Sequence, residues 1–265
     1  MELMKAIWLL LLTAFCVCDT TSCQSLTGKP EANDQQIEKT IFIYGNGLDK
    51  IFIKYIISLT QKPNPKICFI PTAAADDERV IGYWYKICAD LPLRPNVLKT
   101  FVSSSPEQKT FEEEILDSDA IIVGGGNTLN MIAIWKAQGI DTLLKKAYNK
   151  GIILAGGSAG SLCWFTGGYS DSRPKELSLI ECLGFLDYSH SPHYNGEPAR
   201  KPLYQQAILK GELKPGYACD DNAGLLFING KVVKSVSLNS KNNNYYVYTK
   251  NGKTYEEKLP AEIIK

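Results

Sequence analysis

Ser158 is the residue with the most chemical potential in its surroundings. It stands in Gly156-Gly157-Ser158-Ala159-Gly160, directly after the apolar run Gly151-Ile152-Ile153-Leu154-Ala155, so a buried strand has to reverse sharply into a helix at this serine. A G-x-S-x-G turn suits a nucleophile because small residues two before and two after the serine let strand and helix approach closely. The hydroxyl is left exposed with a backbone N–H beside it. A second glycine cluster, Gly124-Gly125-Gly126-Asn127-Thr128, follows the apolar run Ala120-Ile121-Ile122-Val123. At the carboxyl end of a parallel strand, such a loop can aim amides into the crevice where ligands bind. The Gly125 region and the Ala159 N–H are therefore the candidate donors for an oxyanion. No G-x-x-x-x-G-K-[ST] pattern follows the triplet, which argues against a nucleotide phosphate loop.

A serine hydroxyl needs a base. The chain has two histidines, His190 and His193, both in Ser189-His190-Ser191-Pro192-His193-Tyr194. His193 is the better candidate because Pro192 stiffens the turn that holds its ring. The carboxylate that orients the imidazole has to come from Asp171, Glu176, Asp187, Glu197, Asp220 or Asp221, and spacing alone does not choose among them.

Gly-Gly-Gly-Asn at 124–127, Gly-Gly-Ser-Ala-Gly at 156–160 and Pro-His-Tyr at 192–194 together resemble the peptidase E and cyanophycinase group of serine peptidases, the S51 family. The resemblance runs from about Ile41 to Ser237. It implies a class I glutamine-amidotransferase-like α/β sandwich and a Ser-His-acid triad with Ser158 as nucleophile and His193 as base. The family's aspartate stands 22 residues before its histidine, which here is Asp171. Asp221 is the alternative, because cyanophycinase-like relatives also carry an acidic residue in that segment. Peptidase E relatives cleave after an N-terminal aspartate. Arg200 is accordingly the candidate cation for the substrate, with Arg173 and Lys201 as competitors and Asn127 as a further substrate contact. The implied substrate is a small peptide and no cofactor or metal is implied. The rival readings are an α/β-hydrolase esterase, strained by histidines that follow Ser158 so closely, and an inactive binding protein on the same fold.

These residues need a scaffold. Short apolar runs alternating with helical segments predict a three-layer α/β/α sandwich around a mainly parallel sheet. The expected strands are Thr40–Tyr44, Lys66–Ile70, Val97–Phe101, Ala120–Val123 and Ile152–Ala155. Ser105-Pro106 is the expected start of a helix bearing Phe111 and Ile115, and Asp141 the expected cap of a helix that stops before Gly151. After residue 216 the pattern changes to antiparallel hairpins, turned at Asn229-Gly230 and Asn251-Gly252.

With 265 residues, 45% hydrophobic, one α/β domain over 39–265 is expected. Lysine and arginine number 29 against 28 acidic residues, so no global field attracts nucleic acid or an anionic membrane. The run Ala6–Cys18 after Lys5 reads as the core of an export signal over 1–23, too short for a comfortable membrane span. Cys23 is a candidate lipid-anchor position in an alternative lipoprotein reading, and 24–38 reads as a polar tether. Secretion, a periplasmic location or anchoring at the envelope are the expected destinations, and a homodimer is left open. Cys68, Cys88, Cys163, Cys182 and Cys219 are widely spaced with no C-x-x-C pair, against a zinc site or a tight disulfide framework.

Overall fold

The computed structural model describes residues 37–102 and 109–265. The expected export signal, most of the tether, Cys23 and the Ser105-Pro106 helix start lie outside the described residues. Five parallel strands form the centre: β1 (Thr40–Tyr44), β2 (Lys66–Ile70), β3 (Arg94–Val97), β4 (Ala120–Val123) and β5 (Ile153–Gly157), in the order β1-β5-β4-β2-β3. β3, Arg-Pro-Asn-Val, forms the polar edge, while β1, β2, β4 and β5 are short and mostly apolar because both faces of the sheet are covered there. The period of two divides β1 between them: Ile41 and Ile43 enter one core, Phe42 and Tyr44 the other.

The core containing Phe42 and Tyr44 is closed by α1 (Lys50–Leu59) and α2 (Glu78–Cys88), which bury Phe52, Ile53, Ile56 and Trp84. On the opposite face lie α3 (Phe111–Leu116), α4 (Thr128–Gln138), α5 (Ile140–Asn149) and the single turn α6 (Ala159–Leu162). Beside them is a second sheet that the sequence reading missed as a unit. It comprises β6 (Gly167–Ser170), β7 (Ser178–Glu181), β8 (Ser189–Ser191), β9 (Gly216–Cys219), β12 (Asn244–Lys250) and β13 (Lys253–Leu259), ordered β13-β12-β9-β8-β6-β7, with α7 (Arg200–Lys210) between β8 and β9. The main sheet is extended past β1 by β10 (Ala223–Ile228), β11 (Lys231–Ser237) and β14 (Glu262–Ile263). Both Asn-Gly turns close hairpins, with φ of 50° and 79° at 229–230 and 52° and 70° at 251–252, the positive pair a type I′ turn needs.

Three boundaries differ from the sequence expectation. The third strand is Arg94–Val97 rather than Val97–Phe101, because the Asp76 carboxylate accepts the Thr100 and Phe101 amides and draws that segment off the sheet. Asp141 lies in the first turn of α5 rather than at its cap. Gly139, with φ of 74°, both ends α4 and begins α5. Strand β5 continues to Gly157, which brings Ser158 to the very end of the sheet. Among the described residues no helix is long and apolar enough to cross a membrane.

Candidate active site

Ser158 sits between β5 and α6 with φ 55° and ψ −120°, a conformation that non-glycine residues adopt only when their surroundings hold them there. Its N–H donates to Tyr44 O at 3.3 Å, and its carbonyl accepts from the Ser161 N–H at 3.0 Å. The flanking glycines have no substitute. A Cβ on Gly156 would lie 2.3 Å from Gly160 O, one on Gly160 would lie 2.1 Å from Val123 O, and one on Gly157 would lie 1.9 Å from Asn46 O. The side chain thus points off the carboxyl edge of the sheet because the backbone around it has no room for anything else.

His193 reaches this serine from the loop after β8. Its Nε2 lies 2.9 Å from Ser158 Oγ and its Nδ1 lies 2.6 Å from Asp221 Oδ1. The neutral tautomer that satisfies both contacts carries its proton on Nδ1, donating to Asp221 and accepting from the serine hydroxyl. His193 itself has φ 53°, so the loop is held in an unusual shape to aim the ring.

Asp221 occupies the turn between β9 and β10. Its neighbour Asp220 anchors that turn: one carboxylate oxygen accepts from Asn195 Nδ2 at 2.7 Å, the other from the Asn243 N–H at 2.9 Å and the Tyr245 hydroxyl at 3.3 Å. Asp220 is buried, and that burial raises its pKa. From the other side Asn46 Nδ2 donates to Asn222 Oδ1 at 3.1 Å. Gly196 closes over the acid, since a Cβ there would lie 2.6 Å from Asp221 Oδ2.

Asp171 is not the partner of His193. Its side chain is 71% exposed and lies 3.8 Å from the Arg200 guanidinium. Strand β6 ends at Ser170 and delivers the next residue into the β6–β7 loop, while His193 Nδ1 is bonded to Asp221. Arg200 is likewise committed. It is buried, donates to both Glu197 oxygens at 2.7 and 3.2 Å and to Tyr169 O at 3.0 Å, and so fastens α7 to β6. Asn127 caps α4 by accepting from the Asn130 N–H at 2.9 Å, and its amide donates to Ser172 O at 3.0 Å. Neither expected substrate contact is therefore a free side chain in the site.

Gly125 lies where an oxyanion donor is wanted. A Cβ on it would be 3.2 Å from Ser158 Cβ and 3.6 Å from its Oγ. Gly126, with φ 135°, folds the loop against Ala73, whose carbonyl accepts the Asn127 N–H at 2.8 Å. Ala159 is the first residue of α6, directly after Ser158, so its N–H has no acceptor within the helix.

The second histidine works from beneath. His190 is fully buried, stacked on Phe165 with ring centroids 4.5 Å apart, and donates through Nδ1 to Tyr217 O at 2.9 Å. Its Nε2 lies 3.0 Å from Ser161 Oγ, whose single proton is shared between that nitrogen and Ser158 O, 2.7 Å away. The pair ties α6, which follows the serine, to β8, which precedes His193. Ser161 went unnoticed in the sequence although it follows Ser158 by three residues, the spacing that shares a helix face. Burial pushes the His190 imidazole down to about 3 from an ordinary 6.5. Unfolding on acidification therefore takes up a proton at this site. We expect the stability it contributes to be full above pH 6.5 and to fall by at most about 1.4 kcal/mol per pH unit toward pH 3. Thermal melts of wild type and His190→Gln over that range check this, since the variant's melting temperature should depend less steeply on pH. Equal slopes would contradict it.

Residues 41–235 match the family model described as Peptidase family S51. The uncharacterized peptidase YgaJ of Bacillus subtilis (strain 168) is 38% identical over 211 residues, covering 80% of this chain and 90% of its own. Peptidase E of Shewanella denitrificans is 25% identical over 188 residues, covering 65% of this chain and 75% of its own. Among solved structures, a peptidase from an acI-B1 Actinobacterium superimposes with a TM-score of 0.65 at 17% identity, covering 87% of this chain and 97% of its own. The fold is of the class I glutamine-amidotransferase-like type.

Proposed function

Because the chain belongs to peptidase family S51, a family of serine-type peptidases, we propose that it hydrolyses short peptides through an acyl-enzyme formed on Ser158, with His193 as base and Asp221 as the orienting acid. The observation that carries this reading is the unbroken chain of hydrogen bonds from Ser158 Oγ through both nitrogens of His193 to Asp221 Oδ1, at 2.9 and 2.6 Å. His193 Nε2 takes the serine proton as Oγ attacks the scissile carbonyl. Asp221 stabilises the imidazolium, which then protonates the leaving amine. Water activated by the same nitrogen releases the acyl group. The Gly125 and Ala159 amides receive the developing oxyanion, a contact whose loss costs about 3 kcal/mol of barrier per donor in comparable sites.

A preference for N-terminal aspartate has less support, since the guanidinium of Arg200 is spent on Glu197 and Tyr169 O. A dipeptide panel that includes Asp-X substrates decides it. Labelling with a fluorophosphonate probe tests the serine itself: wild type should label, and Ser158→Ala and His193→Ala should not. Folded wild type that neither labels nor cleaves any member of the panel would favour the inactive binding protein instead. Export over the 1–23 leader belongs to the same proposal, and N-terminal sequencing of the mature protein from the culture medium or envelope fraction checks it.

A further inference from the structure

A cleft of about 480 Å³ opens beside the glycine loop that flanks Ser158. Gly125 is common to both: it lines the cleft, and a Cβ on it would lie 3.6 Å from Ser158 Oγ. Apart from the ion pair of Asp77 and Arg79, the side chains of the other walls are apolar or aromatic. Leu48 comes from the loop after β1, Phe69 from β2, and Val80 and Tyr83 from α2. Tyr83 is 49% exposed, although an aromatic ring of that size is more often covered. A substrate whose carbonyl oxygen rests on the Gly125 amide has its own α-carbon a few bonds away, so the side chain of that residue is the group that reaches this cleft.

The charges at the cleft are already spent on each other. Arg79 Nη2 lies 2.6 Å from Asp77 Oδ2, and its Nε lies 3.1 and 3.2 Å from the two Asp77 oxygens. Asp77 is also the N-cap of α2, accepting from the Arg79 N–H at 2.8 Å, so its carboxylate is fixed where it stands. The Arg79 guanidinium holds that carboxyl at about 2, which keeps it ionised throughout the working range. A carboxylate side chain entering the cleft would meet the negative charge of Asp77, while the guanidinium that offsets it stands 91% exposed, where water screens its pull. An uncharged apolar side chain would displace water from Leu48, Phe69, Val80 and Tyr83 without disturbing the pair.

Resting on the serine-peptidase reading above, we propose that this cleft is the subsite for the residue that carries the scissile carbonyl, and that it selects a leucine- to phenylalanine-sized apolar side chain over aspartate. Pockets of this kind discriminate by on the order of tenfold or more for each group they desolvate.

The test uses Leu-, Phe- and Asp-p-nitroanilides, with kcat/KM expressed per serine labelled by the fluorophosphonate probe. The expected result is a preference of at least about tenfold for leucine or phenylalanine over aspartate. Tyr83→Ala should reduce that ratio about fivefold or more, and Tyr83→Arg, which adds an unpaired cation at the exposed rim, should shift it toward aspartate by about tenfold. Thermal melts confirm that both variants are folded. Wild type that labels at Ser158 but favours the aspartyl substrate, or Tyr83 variants that label and keep the wild-type ratio, would overturn the subsite assignment alone. Folded wild type that fails to label would overturn the peptidase reading and the assignment with it.

Discussion

Asp221→Asn is expected to lower kcat by roughly 10⁴-fold, while Asp171→Asn changes it by less than about twofold. The difference follows from which nitrogen each residue faces. His193 Nδ1 is 2.6 Å from Asp221 Oδ1, and the proton on that nitrogen leaves Nε2 free to accept from Ser158. An asparagine that turns its NH₂ toward Nδ1 favours the opposite tautomer, whose protonated Nε2 cannot act as a base. It also removes the negative charge that stabilises the imidazolium. Asp171, with 71% of its side chain exposed, touches the site only through Arg200 at 3.8 Å, and Arg200 keeps its two contacts to Glu197 without it. The measurement is kcat at saturating dipeptide and neutral pH, beside near-ultraviolet circular dichroism to show that both variants are folded. An Asp221→Asn enzyme within tenfold of wild type, or an Asp171→Asn enzyme that falls as far, would remove Asp221 from the proposed triad.

The contrast between these two aspartates also shows what a sequence can and cannot carry. Ser158, the glycine triplet and His193 were legible because each is written locally: a strand, a turn that demands glycine, a proline that stiffens a loop. Four of the parallel strands were legible for the same reason, as short apolar runs between helices, whereas β3, Arg-Pro-Asn-Val, has no such run and was expected three residues too late. The choice between the two candidate acids was not, because the family spacing favoured Asp171, while Asp221, the alternative, is delivered by a turn joining β9 of one sheet to β10 of the other. No count of residues back from His193 expresses that crossing. Adjacent acidic residues added to the difficulty, since Asp220 is buried as an anchor while Asp221 faces the histidine. The second sheet escaped detection because β6, β7 and β8 are only 4, 4 and 3 residues long and draw heavily on glycine and serine. Arg200 illustrates the converse: as a site cation it looked available, yet its burial and its bonds to Glu197 make it part of the frame.

Gly160→Ala should destabilise the protein by about 3 kcal/mol or more, against what helix propensity alone would give. Gly160 lies within α6, where alanine is the favoured residue by roughly 1 kcal/mol. Packing decides the sign. A Cβ at this position would stand 2.1 Å from Val123 O and 3.0 Å from Val123 Cβ. Val123 cannot give way easily, because it is the last residue of β4, fully buried and paired with Gly156 of β5. Accommodating the methyl group means pushing α6 off the sheet, which moves Ser158 away from Gly125 and strains its bond to His193. Gly82→Ala is the matched control. It lies on an exposed part of α2 with nothing within 4 Å of the added carbon, so it should stabilise by about 0.5–1 kcal/mol. For a chain of this size the melting temperature should fall by roughly 6–12 °C in the first variant and rise by about 1–4 °C in the second. Calorimetric melts of the two variants beside wild type make the comparison. A Gly160→Ala protein that melts with wild type or above it would mean that the elbow has slack, and the close approach of β4, β5 and α6 would no longer explain why Ser158 is held at positive φ.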